Sequence, residues 1–106
     1  MASVRWSNRA LDDLRSIRLY FEASASDLVS ERLSNAITES TKRLGIFPQM
    51  GRVVPEYGDA EFREVISGNY RITYLTQSFD SVFIVAIVDG RRNFLAALGV
   101  DPWSIV

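Results

Sequence analysis

The sequence predicts an α+β domain in which an antiparallel helix hairpin packs on one face of a mostly antiparallel sheet. Three observations predict it. Two stretches of helical apolar spacing are parted only by "ASASD" at 23–27. Three strand signals then follow at 62–66, 70–76 and 82–88, with turns short enough for hairpins. The last of these is the most apolar run in the chain and is apolar on both faces, as an interior strand is. Helices with one apolar stripe and a sheet with an apolar face bury each other as two layers.

The elements follow in order. "ASVRW" (2–6) reads as a short strand. Ser7 or Asn8 then caps a helix, accepting bonds from its first free N–H groups. Leu11, Leu14, Ile17 and Phe21 recur at helical spacing among Asp12, Asp13, Arg15 and Arg18. Ser24 or Ser26 caps a second helix, whose apolar positions are Leu28 or Val29, Leu33, Ile37 and Leu44, with Ala36 and Ser40 as small neighbours. Gly45 stands where a left-handed residue closes a helix, and Pro48 prevents its continuation. Residues 46–61 hold Pro48, Gly51, Pro55 and Gly58 and read as a loop near the upper length for a structureless connection. "FREVI" (62–66) sets Phe62, Glu64 and Ile66 on one face against Arg63 and Val65. "SGN" turns the chain into "YRITYLT" (70–76), where Tyr70, Ile72 and Tyr74 alternate with Arg71, Thr73 and Leu75. "QSFDS" (77–81) turns it again into "VFIVAIV" (82–88), expected in the sheet interior. "RNFLAALG" reads as a short helix and "VDPWSIV" as an irregular tail around Trp103.

Composition narrows the function. The 106 residues suit one domain, 1–106. No apolar run approaches the ~20 residues that span a bilayer, and the N-terminal stretch lacks the apolar core of a signal peptide, so the cytoplasm is the expected compartment. With no cysteine and no histidine, disulfides, thiolates, the commonest metal ligand and the commonest general base are all missing. No metal site, cofactor or catalytic residue is expected. Net charge is −1, which draws no nucleic acid by a global field. Among the twelve cationic residues only Lys42 is a lysine. Arginine's planar fork suits bidentate pairing with carboxylate or phosphate, although a compositional habit of the genome explains the bias as well.

Four pieces, in order and spread along nearly the whole chain, carry a resemblance. They are "VRWSNRALDDLRSIRLYF", "RLGIFPQMGRVVPE", "FREVISGNYRITYL" and "VFIVAIVDGRR". Together they are similar to the opening strand and helix, the Pro–Gly–Arg loop, the central hairpin and the basic last strand of the RelE/ParE superfamily of type II toxins. The likeness is closer to the ParE branch than to the RelE branch. It implies a toxin held silent by a cognate antitoxin in a hetero-oligomer, the ParE-type partner being a ParD-like ribbon-helix-helix protein. ParE-like toxins poison DNA gyrase; RelE-like toxins cut messenger RNA on the ribosome. A degenerate toxin that only binds its antitoxin is a third reading.

The residues weigh against RNA cleavage. Attack by a 2′-hydroxyl needs a base, cations for the phosphate and an acid for the leaving group. Arg63, Arg71, Arg91 and Arg92 supply cations, but no histidine exists and Asn93 and Phe94 follow Arg92 where RelE-like toxins place a tyrosine or histidine. Tyr70 and Tyr74 are expected on the face opposite Arg71. The expected target-binding residues are therefore Arg63, Arg71, Arg91, Arg92 and Trp103. Each has a plainer explanation. Arg63 and Arg71 would form cross-strand ion pairs with Glu61 or Glu64 on a solvated face. Arg91 and Arg92 would only end a buried strand in water. Trp103 would pack on the chain's own core.

Overall fold

The computed structural model describes residues 1–78 and 80–106; Phe79, in the turn expected at 77–81, lies outside the described residues. Strand β1 (Ser3–Trp6) leads into helix α1 (Asn8–Ser24) and helix α2 (Asp27–Leu44). Strands β2 (Arg52–Val53), β3 (Phe62–Ser67), β4 (Tyr70–Ser78) and β5 (Ser81–Asp89) follow, then helix α3 (Phe94–Leu98) and a 3-10 turn at Pro102–Ile105. The sheet runs β1-β5-β4-β3-β2, parallel at β1–β5 and antiparallel elsewhere. The α+β architecture is as the sequence predicts. β5 is interior, and Ile84 and Val85 are both fully buried.

Ser7 caps α1, accepting from the Ala10 N–H at 2.9 Å while its own hydroxyl donates to the Val85 carbonyl at 2.7 Å. One side chain thus starts the helix and ties it to the central strand. The break between helices is only Ala25 and Ser26, and Ser26 caps α2 by accepting from Val29 N–H. The buried stripe of α2 keeps Ile37, Ser40 and Leu44 as expected, but is otherwise built of hydroxyl residues. It consists of Ser30, Ser34, Ile37, Ser40, Thr41 and Leu44, whereas Leu28, Val29 and Ala36 face outward. The hydroxyls remain satisfied: Ser34 donates to the Ser30 carbonyl at 2.8 Å and Ser30 to the Arg18 carbonyl of α1 at 2.9 Å. The Ser30 bond thereby links the two helices directly. On α1 Leu11 is half-exposed, and Leu14 and Ile17 make the sheet contact.

Gly45 is not a left-handed cap; its φ is −66°. The chain tightens there, with Gly45 N–H donating to the Lys42 carbonyl at 3.0 Å. Its carbonyl accepts from Ala2 N–H at 2.7 Å, and a Cβ would sit 3.2 Å from the Ala2 oxygen. Glycine eases that close approach to the residue before β1, since a Cβ would force its neighbours to give by a few tenths of an ångström. The segment 46–61 is more ordered than a structureless excursion. It contributes β2, a buried Gly51, and Val54, which is fully buried and donates from its N–H to the Phe62 carbonyl at 2.9 Å.

Both faces of the sheet are covered. Tyr74, Ile72, Val82, Ile84 and Ile87 face the hairpin residues Ala10, Ile37 and Leu44. Phe62, Leu75, Val85, Ala86 and Val88 face Val54, Phe94 and Leu98. The neighbours Val85 and Ala86 share a face because β5 carries one extra residue where Thr73↔Ala86 gives way to Tyr74↔Ile84. A bulge of this kind slips the alternation by one position. The apolar run supplies both cores by alternation, and the bulge sets Val85 and Ala86 together in the one beneath α3. Each fully buried large side chain contributes about 1.5–3 kcal/mol. Tyr57 binds the C-terminal segment down, donating its hydroxyl to the Gly99 carbonyl at 2.8 Å and meeting Phe94 edge-on at 5.4 Å.

Candidate functional site

Arg71 stands on β4 with only 11% of its side chain exposed. Its Nε donates to Glu64 Oε1 at 2.7 Å, and its two terminal nitrogens donate to both oxygens of Glu56 at 2.7 and 2.6 Å. The guanidinium lies 4.1 Å from the Phe94 ring centroid, a cation–π stack. Glu64, on β3, is wholly buried in its side chain; its second oxygen accepts from Arg52 on β2 at 2.7 and 2.6 Å. The cross-strand register sets Arg52 directly against Glu64. Arg71's hydrogen bonds hold the Glu56 carboxyl below its usual range. The same bonds, Glu56's first, raise the Arg71 pKa.

The expected ion pairs of Arg63 and Arg71 on one solvated face are therefore corrected. Arg71 pairs with Glu64, but in the interior, under α3. Arg63 lies on the opposite face, in register with Tyr74. It makes no salt bridge among the described residues; its Nη1 donates to the Gly51 carbonyl at 3.0 Å, and its Nε is buried without a partner among them. Tyr74 accepts from the Gly51 N–H at 3.0 Å. A Cβ on Gly51 would lie 2.5 Å from the Glu64 carbonyl, so β2 can reach β3 only with glycine there. Tyr70 and Tyr74 belong to the hairpin-facing side, opposite Arg71, as expected. Burial pushes both phenols up, with Asp89 adding to the rise at Tyr70. Neither is disposed to act as a base.

Arg91 and Arg92 occupy a different environment. Arg91 follows the end of β5, 75% exposed, and pairs with Asp89 at 3.0 and 2.7 Å. Arg91's hydrogen bond holds the Asp89 carboxyl down to about 2. Arg92 is exposed and has no ion pair among the described residues. Both border a cleft of about 330 Å³ between α1 and the end of β5. Asn93 ends the segment by capping α3, accepting from Ala96 N–H at 3.1 Å. Trp103 lies elsewhere. Its ring meets Phe62 edge-on at 4.8 Å and its Nε1 donates to Asp59 at 3.2 Å, which leaves 42% of the residue exposed. The chain's own core supplies most of its partner.

The five expected residues thus do not converge. Arg71 is the centre of a buried network, Arg63 braces β2 from the other face, Trp103 caps the core, and only Arg91 and Arg92 remain together and available. Sequence reasoning passed over Arg52 and Glu56, and took Glu64 only as an ion-pair partner on a solvated face. Glu64 carried a signal: it alternates with Phe62 and Ile66, and a carboxylate on an apolar strand face needs a buried partner.

Comparison with known proteins identifies the family and the fold. The family model described as "ParE toxin of type II toxin-antitoxin system, parDE" matches residues 4–94. The chain belongs to that family of ParE toxins. Among solved structures it is similar to a chain of the chromosomal ParDE toxin–antitoxin system from P. aeruginosa, with a TM-score of 0.71 and 18% identity, over 84% of this chain and 96% of that one. That likeness speaks for the fold. No curated protein matches the chain in sequence.

Proposed function

We propose that this ParE-family toxin acts by binding DNA gyrase, and that a ParD-like ribbon-helix-helix antitoxin silences it in a cytoplasmic hetero-oligomer. The observation that carries the binding reading is the fate of the charged and phenolic groups on the sheet. Arg71 is neutralised by two carboxylates beneath Phe94, and Tyr74 is buried against Gly51. A phosphodiester placed over Arg71 would meet a guanidinium already paired, and on the opposite face the Tyr74 phenol is buried. Arg91 and Arg92 are exposed, as a binding surface requires, and no chemistry is asked of them.

Apolar surface on the hairpin supports a partner. Leu11 and Leu19 are half-exposed beside Leu14, Arg15, Arg18 and Glu22 in a groove of about 360 Å³. A helix with apolar anchors would cover it. Among the described residues no helix is long and apolar enough to cross a membrane.

The test pairs two assays on purified toxin: gyrase supercoiling and DNA cleavage, and messenger RNA bound to ribosomes. Accumulation of cleaved gyrase–DNA complexes, reversed by the product of an adjacent ribbon-helix-helix gene, with the RNA intact, is expected. Codon-register cuts in the RNA with gyrase unaffected would replace this reading with the nuclease. Inactivity in both, with tight antitoxin binding, would leave a toxin that only binds its antitoxin.

A further inference from the structure

The turn that follows α2 is fixed in place, yet it presents apolar side chains to water. Ile46 and Phe47 both donate from their N–H groups to the Arg43 carbonyl, at 3.0 and 2.9 Å, and Met50 N–H donates to the Phe47 carbonyl at 3.1 Å. Its start is held by the Gly45 carbonyl, which accepts from Ala2 N–H. Its end is held by Gly51, which donates to the Tyr74 hydroxyl and accepts from Arg63. Ile46, Phe47 and Met50 are nevertheless 56%, 63% and 46% exposed. Large apolar groups held rigid in water add little to the fold. Grouped together, they mark a surface that another molecule covers, and rigidity lowers the entropy lost on binding.

The three residues, with Pro48 and Gln49, ring a hollow of about 360 Å³. Ile46 also borders an adjoining cleft of about 540 Å³, where Val4, Trp6, Lys42 and Arg43 stand. Neither space shares a residue with the hairpin groove at Leu11 and Leu19 or with the cleft beside Arg91 and Arg92. The charge around the turn is of one sign. Arg43 is exposed and makes no salt bridge among the described residues; its Nη2 meets only the Ser40 hydroxyl, at 3.4 Å. Arg63, half-buried at the far end of the turn, has the Gly51 carbonyl where a carboxylate would serve. Glu39 is the carboxylate that borders the larger cleft, and Lys42 already pairs with it at 3.3 Å. Two arginines are thus left without a counter-charge, one at each end of the apolar turn.

We infer that this turn is a docking site for an acidic amphipathic helix of a partner protein. One large apolar side chain of the helix sits in each hollow, and carboxylates beside them meet Arg43 and Arg63. Two hollows that join at one residue suit anchors about one helical turn apart. Charge weighs against the other occupants. A second copy docked about a two-fold axis would set this patch against itself, arginines facing arginines. A bilayer surface attracts a cationic side chain by only about 1 kcal/mol, and here two unpaired ones belong to a chain of net charge −1. The inference rests on the reading that this protein acts by binding other proteins, and it does not require gyrase to be the one bound.

The probe is the peptide acetyl-Glu-Ala-Leu-Glu-Glu-Phe-Leu-Glu-Ala-Leu-Glu-Glu-amide, titrated into the full chain and followed by backbone amide and indole NMR. Expected are shifts gathered at residues 43–51 and at the Trp6 indole, with Leu11 and Leu19 unmoved. Phe47→Ser with Met50→Ser removes exposed side chains, so folding should persist while binding weakens about tenfold or more. Arg43→Glu, or lysines in place of the peptide's glutamates, should also weaken it. No binding at millimolar peptide, or unchanged affinity in the Phe47→Ser, Met50→Ser variant, would overturn the inference. A map centred on Leu11 and Leu19 would do so too. So would a concentration-dependent dimer that Phe47→Ser abolishes, or sedimentation with phosphatidylglycerol vesicles that depends on Phe47. No gyrase enters this assay. A chain that holds the peptide at this turn but leaves gyrase alone overturns the proposed target and keeps the docking site, and the opposite result does the reverse.

Discussion

Two pairs of arginines on neighbouring strands meet opposite fates. Arg52 and Arg71 share the buried carboxylate of Glu64, and Arg71 also grips Glu56 beneath Phe94. Arg91 and Arg92, past the end of β5, stand in water with only Asp89 as a partner. The residue types are identical, so the difference lies in what surrounds them. Arg71, with 11% of its side chain exposed, is taken out of water and held by two carboxylates, which leaves it no fork for a ligand. Arg52 stays 60% exposed and is fixed by its bonds to the buried Glu64. One pair therefore holds the loop and α3 to the sheet, and the other stays free to meet a partner.

The strongest way to break this comparison is Glu64→Ala. It leaves Arg71 buried with half its partners and should cost about 3–5 kcal/mol in urea denaturation. Arg91→Ala should leave the midpoint unchanged within error. Equal losses from the two would end the distinction. Gly51→Ala comes next. Its Cβ would press on the backbone of Glu64, where no flexible side chain can give way, and overpacking of this kind costs about 1–3 kcal/mol. Loss of β2 pairing, seen as faster amide exchange at Arg52 and Val53, should accompany it.

Acid sharpens the comparison further. The folded Glu56 pKa is lowered from 4.5 by Arg71's hydrogen bonds. A carboxyl lowered on folding contributes its stability above the unfolded value and loses it as pH falls through the folded one. The wild-type midpoint should thus fall as pH drops below about 4.5, and Glu56→Gln should flatten that part of the curve. Asp89, though held down to about 2, faces an arginine in water. Screening leaves that pair little to contribute, so Asp89→Asn should hardly alter the profile. The smallest effect on stability, and the clearest on function, belongs to Arg91→Ala with Arg92→Ala. It should weaken growth inhibition on induction, with thermal unfolding unchanged. Tyr70→Phe and Tyr74→Phe should leave toxicity per folded molecule nearly intact, although Tyr74→Phe strands the Gly51 N–H and lowers stability. Loss of toxicity in either folded tyrosine variant would restore the nuclease reading.

Local signals in the sequence were enough for element type and order. Ser7 and Ser26 as caps, the "SGN" turn and the apolar run 82–88 each encode their structure within a few residues. The short strand β2 was not legible, because two residues in a Pro/Gly loop carry no period. Nor was the buried face of α2. Its serines and threonines read as polar, yet they are buried because their hydroxyls return to the helix's own carbonyls. Arg63 and Arg71 could not be sorted by sequence, since eight residues of hairpin decide which face each one takes.

By itself the sequence determined a helix hairpin on a mostly antiparallel sheet, with an interior last strand ending in two arginines. These follow from periodicity, caps and turns, which are properties of neighbours in the chain. Only the tertiary structure decided which arginines are spent and which are free. It also decided that a single bulge at Val85 sets Val85 and Ala86 on one face of the sheet. Each of those depends on register and burial between segments far apart in sequence, where the cost of an unpaired charge or backbone group is set by what the fold brings beside it.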